Sequence, residues 1–291
     1  MTNHTFPMKK LTPFLLVLPI VVLLLIFKLY PILIGLWESM HGPAFYAAPA
    51  PFVGLDNFAR LFTDPVFWDS VRVTLMFNLL VNPIQVALAL GLAVLLNIPA
   101  RGLNVFRSIQ FIPVAVSLPI AAVLWSIMLH PEQGVVNSIL VGVGLPPQPF
   151  LNSSDQALWV IVLIATWKGV GYWSIFLLAG LQEIPSSIYE AAALDGSSGW
   201  RTFTSITLPL MKRPLTFVLV ADTVTNFLLF APMYMLTGGG PARSTNVLML
   251  ESFRSAFLFS DPGRASAIVV VLLVITLAIV VAQFRLLRSR H

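Results

Sequence analysis

Six apolar runs, each long enough to cross a bilayer, limit what this chain can become. They lie at roughly Pro13–Trp37, Ser70–Asn97, Phe106–Leu129, Ala157–Leu181, Pro214–Leu236 and Arg264–Leu287. At 1.5 Å per residue, a helix of about 20 residues covers the ~30 Å of hydrocarbon in a membrane. Of the 291 residues 57% are hydrophobic and only 10% charged, whereas soluble domains carry about a quarter charged residues. The chain therefore reads as one all-α polytopic membrane domain, residues 1–291, with six transmembrane helices. It has no cysteine, so neither disulfides nor thiolate metal sites enter the argument.

Lys9 and Lys10 ahead of the first run resemble the opening of a signal peptide. That run is too long for one, contains Pro19, Lys28 and Pro31, and lacks a small-residue cleavage site, so a retained first span is expected. Charge then sets orientation. With the N-terminus inside, the cytoplasmic side collects Lys9, Lys10, Arg101, Arg107, Arg201, Lys212, Arg213, Arg285, Arg288 and Arg290. The outer side keeps Arg60, Arg72, Arg243, Arg254 and Arg264, with most of the acids. Short cationic loops stay in the cytoplasm, which places both termini and the polar break around Glu190 inside. The same asymmetry accounts for the net charge of +5 without nucleic acid.

The break between the fourth and fifth runs, residues 183–213, carries its own helix. Pro185 blocks continuation of the preceding span, and Ser187 with Glu190 predicts a capping box. Ala191 to Ala193 are strong helix formers and Gly196 is a stop. Under three turns of helix are stable only when packed on something; a surface helix linking two spans is the plain reading. Three segments on the other side also carry structure. Leu55, Phe58, Leu61 and Phe62 predict a short amphipathic helix after a Pro/Ala-rich arm, with Asp56 favoured near its start. Val135–Val143 ends at Pro146-Pro147, and Thr245–Phe259 follows Gly238-Gly239-Gly240-Pro241. Interfacial packing explains all three; a surface for an external binding protein is the functional alternative.

Catalytic patterns are missing. There is no Gly-x-x-x-x-Gly-Lys-Ser/Thr loop for ATP phosphates and no Gly-x-Ser-x-Gly elbow. His4, His41, His130 and His291 have no ligand spacing for a metal. The chain reads as a non-enzyme with no cofactor or metal of its own. The polar residues inside the apolar runs are more informative, because a charge in lipid is costly and usually faces the bundle or a water path. Lys28 sits near the outer end of its span and can snorkel. Lys168 lies mid-span in Trp167-Lys168-Gly169-Val170-Gly171-Tyr172-Trp173. With Tyr172 and Trp173 it suits a sugar, rings against C–H faces and polar groups on hydroxyls; alternatively it pairs with Asp222 or with carbonyls. Asp222, Thr225 and Asn226 at i, i+3 and i+4 form a polar stripe, as do Asn78, Asn82 and Gln85 around Pro83. Each stripe lines a pathway or glues helices together.

Glu190-Ala191-Ala192, Gly196, Ile206, Leu208 and Pro209 fill every position of a long gapped pattern that resembles the EAA signature of ABC importer membrane subunits. Gly54-Leu55-Asp56-Asn57-Phe58, Trp167-Lys168, Leu181-Gln182-Glu183-Ile184-Pro185 and Thr237-Gly238-Gly239-Gly240-Pro241 resemble the branch that carries maltose, trehalose and glycerol-3-phosphate. The chain lacks the extra N-terminal spans and inserted outer domain of the large maltose-type permease, and is more similar to compact trehalose or glycerol-3-phosphate permeases. The resemblance implies a type I-like importer fold in a bacterial inner membrane. It implies a coupling helix formed by Glu190, Ala191, Ala192, Asp195, Gly196, Ile206, Leu208 and Pro209, which docks on an ATPase. It also implies a second homologous permease, two ATP-binding subunits holding ATP and Mg, and an extracytoplasmic solute-binding protein. The rival readings are an ion-coupled secondary transporter using Lys168 and Asp222, a membrane scaffold, and an ABC permease for amino acids or metals.

Overall fold

Prolines decide where the apolar runs stay straight. The computed structural model describes residues 8–43, 50–98 and 102–287; His4, Arg101, Arg288, Arg290, His291 and most of the Pro/Ala-rich arm lie outside them. Helix α1 (Met8–Leu24) passes through a π-turn, Leu25–Leu29, into α2 (Tyr30–Glu38). The wide turn forms where Pro31 has no N–H to give, and the Tyr30 amide donates back five residues to Leu25. Leu16–Glu38 makes a 23-residue span, and Lys28 is exposed on it. An isolated bridge, His41 to Phe52, leads to α3 (Asp56–Thr63). α4 (Pro65–Asn97) starts on Asp64, whose carboxylate accepts the Val66 amide at 2.8 Å, and runs through Pro83 unbroken.

The third run departs from the expected single helix. It divides into α5 (Leu103–Ile109), α6 (Ile112–Ala115) and α7 (Leu118–Met128), and its two halves, Val105–Ala115 and Leu118–Met128, meet at 94°. Pro113 and Pro119 start α6 and α7, and Val116 and Ser117 between them are extended, so no helix bonding carries across. After α8 (Val135–Gly142), α9 (Ala157–Gln182) is straight. α10 (Ser186–Leu194) and α11 (Gly199–Thr202) form the polar break. A second π-turn, Phe203–Thr207, precedes α12 (Leu208–Leu210), and the Leu208 amide donates to Phe203. It stands one residue ahead of Pro209, the same device as at Pro31. The fifth run is also broken: α13 (Lys212–Phe227) and α14 (Ala231–Thr237) meet at 45°, with Pro232 opening the second. α15 (Leu248–Phe257) and α16 (Pro262–Leu287) close the chain. Four described helices are long and apolar enough to span, and counting each bent pair as one span brings the number to six.

Packing divides the chain into two units. One holds the described residues up to Thr63 with Ser252–Val271. In it, α3 does not bury the expected face: Asn57 and Leu61 are buried, while Leu55 and Phe62 are exposed. Asn57 Nδ2 donates to the carbonyls of Ser39 and His41 at 2.8 Å each, so a polar anchor rather than an apolar stripe orients the helix.

The other unit is Asp64–Glu251 with the chain from Leu272. Its core joins Ala89, Ala93 and Leu96 of α4, Trp173, Leu177, Leu178 and Leu181 of α9, and Met211 and Val218 at the start of α13. Small residues let the backbones close up: a Cβ on Gly180 would stand 2.6 Å from the Pro214 ring. The segment before α9 is held by Asn137, whose Nδ2 donates to Pro131 and Gln148 carbonyls at 2.8 and 2.9 Å and whose Oδ1 accepts the Gln148 amide at 2.9 Å. The expected helix from Thr245 begins at Leu248, because Thr245 and Asn246 anchor the loop instead. Thr245 Oγ1 donates to Gly240 O at 2.9 Å, and Asn246 Nδ2 donates to Ser70 Oγ at 2.9 Å and Glu251 Oε2 at 3.0 Å.

Candidate functional site

The connecting helix α10 begins at once after Pro185, whose extended backbone (φ −60°, ψ 136°) delivers the chain into the first turn. Ser187 is therefore inside the helix, and no capping box forms with Glu190. The C-terminal stop is at Gly196, in the left-handed region at φ 69°. The Gly196 amide donates to Ala193 O at 3.1 Å and the Ser197 amide to Ala192 O at 2.9 Å, the two bonds of a Schellman motif. One face of α10 is fixed to the chain: Ala192 is buried, and the Tyr189 hydroxyl lies 3.2 Å from Thr207 Oγ1 in the second π-turn. Beneath it is a cleft of about 280 Å³ lined by Val94, Asn97, Leu181, Tyr189, Phe203 and Thr207 among others.

The opposite face is open. Glu190, Ala191, Ala193, Asp195 and Gly196 are exposed, Ile206 is half-buried, and Leu208 and Pro209 are exposed beyond the π-turn. Leu194 is 90% exposed and Trp200 75%. Apolar side chains of that size projecting from a polar loop suit a protein or membrane contact better than a solvated turn.

The polar stripes come together as a seam between α4, α13 and α16. Asn226 Nδ2 donates to Asn82 Oδ1 at 2.8 Å, Asp222 Oδ1 at 3.0 Å and Gln85 Oε1 at 3.3 Å. Asn82 Nδ2 donates to Thr223 Oγ1 at 3.2 Å and Asn78 Oδ1 at 3.4 Å. Gln283 Nε2 of α16 donates to Thr223 Oγ1 at 2.9 Å. Asp222, Asn226, Asn78 and Asn82 are all buried; Thr225 is exposed and its hydroxyl turns back to Ala221 O at 2.8 Å. The i, i+3, i+4 stripe is thus split. Thr223 and Gln283, which the sequence reading left out, complete the seam. Asn78, Asn82, Thr223 and Gln283 also border a cavity of about 350 Å³.

Lys168 does not meet Asp222. Its Nζ donates to the carbonyls of Val116 at 2.7 Å, Pro113 at 3.2 Å and Val114 at 3.4 Å, which realises the carbonyl alternative. Trp173 is buried in the core, and Tyr172 is 40% exposed. The Tyr172, Phe176 and Phe217 rings form a ladder, with centroids 5.2 and 5.9 Å apart. Among the described residues no group of three or more His, Cys, Asp or Glu is placed to hold a metal ion.

Comparison with known proteins gives a consistent result. The model of the binding-protein-dependent transport system inner membrane component family matches residues 10–290. The chain is 35% identical over 291 residues to the sn-glycerol-3-phosphate transport system permease protein of Agrobacterium fabrum, covering 100% of this chain and 99% of the relative. It is 35% identical over 278 residues to the trehalose/maltose transport system permease protein of Thermococcus litoralis, covering 96% of this chain and 94% of that one. A chain in the crystal structure of a bacterial alginate ABC transporter, in complex with its alginate pentasaccharide-bound periplasmic protein, superposes with a TM-score of 0.84 at 25% identity. The match covers 96% of this chain and 95% of that one.

Proposed function

The chain belongs to the family of binding-protein-dependent transport system inner membrane components, and from that membership we propose that it forms half of the pathway of an ATP-driven importer for a carbohydrate or polyol phosphate. The relatives named above handle glycerol-3-phosphate, trehalose or maltose, and alginate, which supports this solute class. The observation that carries the coupling role is the exposed face of α10. It holds Glu190, Ala191, Asp195 and Gly196 between Pro185 and the Schellman stop, with Leu194 and Trp200 projecting beside it. Short side chains let such a helix lie deep in a partner's groove.

In this reading both termini and α10 are cytoplasmic, and the whole chain acts as one permease domain. A second, homologous permease stands beside it, two ATP-binding subunits bind ATP and Mg beneath, and a solute-binding protein docks outside. ATP draws the two ATPases together, α10 moves with them, and the bundle turns to face outward. Solute then passes along Tyr172 and Thr225, which are exposed, while Trp173, Asp222, Asn226, Asn78 and Asn82 frame the path from behind. Hydrolysis resets the bundle. ATP biases the two states only if α10 contacts the ATPase differently in each.

A gentle-detergent pull-down from the native membrane with mass spectrometry tests the assembly. A P-loop ATPase, a second permease and a binding protein should accompany the chain and be lost when residues 186–197 are deleted from an inserted protein. Recovery of the folded chain alone would contradict the reading. Glu190→Ala and Gly196→Pro should each abolish uptake in a chain that still inserts; normal ATP-dependent uptake would exclude the coupling role.

A further inference from the structure

The ammonium of Lys168 sits in the break of the third span, and we infer that Lys168 is a positioning residue that fixes this bend and does not touch the solute. The consequence for uptake rests on the importer reading; the geometry does not. An ammonium has three N–H groups and no acceptor, and three carbonyls, those of Pro113, Val114 and Val116, take them. These carbonyls stand where helix bonding stops. Val116 and Ser117 are extended, which turns the next amides away, and Pro119 has none to offer. Carbonyls without donors are costly in a membrane, so a cation placed there stabilises the break itself.

The rest of the same α9 face is shaped to the break. One turn beyond Lys168, a Cβ on Gly171 would run into the Gln110 carbonyl oxygen. Ser174, a further turn on, donates to Gln110 Oε1 at 3.2 Å. Lys168, Gly171 and Ser174, three residues apart each time, thus follow the chain from Val116 back to Gln110. On the far side of the break, Trp167 meets Trp125 of α7 edge to face, with centroids 5.7 Å apart. α9 therefore holds both halves of the bent span, with Lys168 at the corner. Tyr172, the exposed neighbour one turn along, keeps its position relative to α6 and α7 only while the corner holds.

The test uses the reconstituted complex with Lys168→Met, Lys168→Gln and Lys168→Arg. The absence of native cysteine in this chain allows a spin-label pair at Val105 and Val123, both exposed, one on each half of the bend. Lys168→Met should shift or broaden the distance between the labels and lower maximal uptake by roughly tenfold, leaving KM within about twofold. Lys168→Arg and Lys168→Gln keep N–H donors and should retain the wild-type distance and most of the uptake, although only one keeps the charge. A raised KM with an unchanged label distance in Lys168→Gln would make Lys168 a solute contact and overturn the inference. So would a wild-type distance in Lys168→Met. If Lys168→Met does not insert, Lys168→Gln decides alone by the same two readouts. If wild-type complex shows no ATP-driven uptake, the importer reading fails while the label distances still judge whether Lys168 fixes the bend.

Discussion

Gly169 and Gly171 are two residues apart on α9, and replacing each by alanine should have opposite consequences. A Cβ on Gly171 would collide with the Gln110 carbonyl oxygen and stand 3.1 Å from its carbon. That group is backbone and cannot rotate away. Overpacking of this kind costs about 1–3 kcal/mol, occasionally more. Moving the α5–α6 corner outward also stretches the Lys168 bonds, each of the charge-assisted type worth about 1.5–3 kcal/mol. Removing a helix glycine returns only about 1 kcal/mol. The net for Gly171→Ala is a loss of roughly 2 kcal/mol or more. At Gly169 the colliding atom is the amide end of Gln85, which can swing aside. The cost is its 3.3 Å bond from Asn226, about 0.5–1.5 kcal/mol, and the helix gain cancels it. Unfolding temperatures of the purified complex in detergent should then differ by about 4–8 °C, at roughly 2–4 °C per kcal/mol, with Gly171→Ala the lower. Equal temperatures, or the reverse order, would refute the contact between α9 and the break.

Gly196→Ala forces a Cβ into the left-handed region at φ 69°, a cost of about 1–2 kcal/mol; uptake should fall while insertion, read by protease protection, is unchanged. Asn82→Leu removes partners from Asn226, Thr223 and Asn78 together and should destabilise by about 1–3 kcal/mol. A double-mutant cycle with Thr223→Val should show less than additive loss, and full additivity would mean the seam is not one network. Asn137→Ala breaks three bonds to Pro131 and Gln148 and should speed limited proteolysis near Pro146 without changing insertion.

Much of this architecture is readable from residue order, because hydrocarbon thickness converts each apolar run into a span. The breaks were written there too: Pro113 and Pro119 lie six apart within one apolar run, but proline does not announce whether a helix will bend, as at Pro119, or run on, as at Pro83. That outcome depends on a neighbour able to donate hydrogen bonds to the freed carbonyls, and Lys168 on α9, which does so here, is far away in sequence. The seam was half legible. Asn78, Asn82, Asp222 and Asn226 follow helical periodicity, whereas Thr223 and Gln283 belong to it through bonds between segments far apart in sequence, Asn82 to Thr223 and Gln283 to Thr223. Thr225 fits the same period and yet is exposed, its hydroxyl turned back to Ala221 O, while Thr223 makes the same kind of bond to Leu219 O and is buried. At α10 the Ser187–Glu190 spacing suggested a cap, but Pro185 already sets the entry and starts the helix two residues early, at Ser186. The stop at Gly196 needed only glycine's freedom at positive φ and was visible in advance.

The most direct test of the account is solute uptake into proteoliposomes holding this chain, its second permease and the ATP-binding subunits, with the binding protein added outside. The account predicts accumulation that requires ATP and the binding protein and persists when ionophores collapse every ion gradient. Uptake that continues without ATP and vanishes with the ion gradient would contradict it.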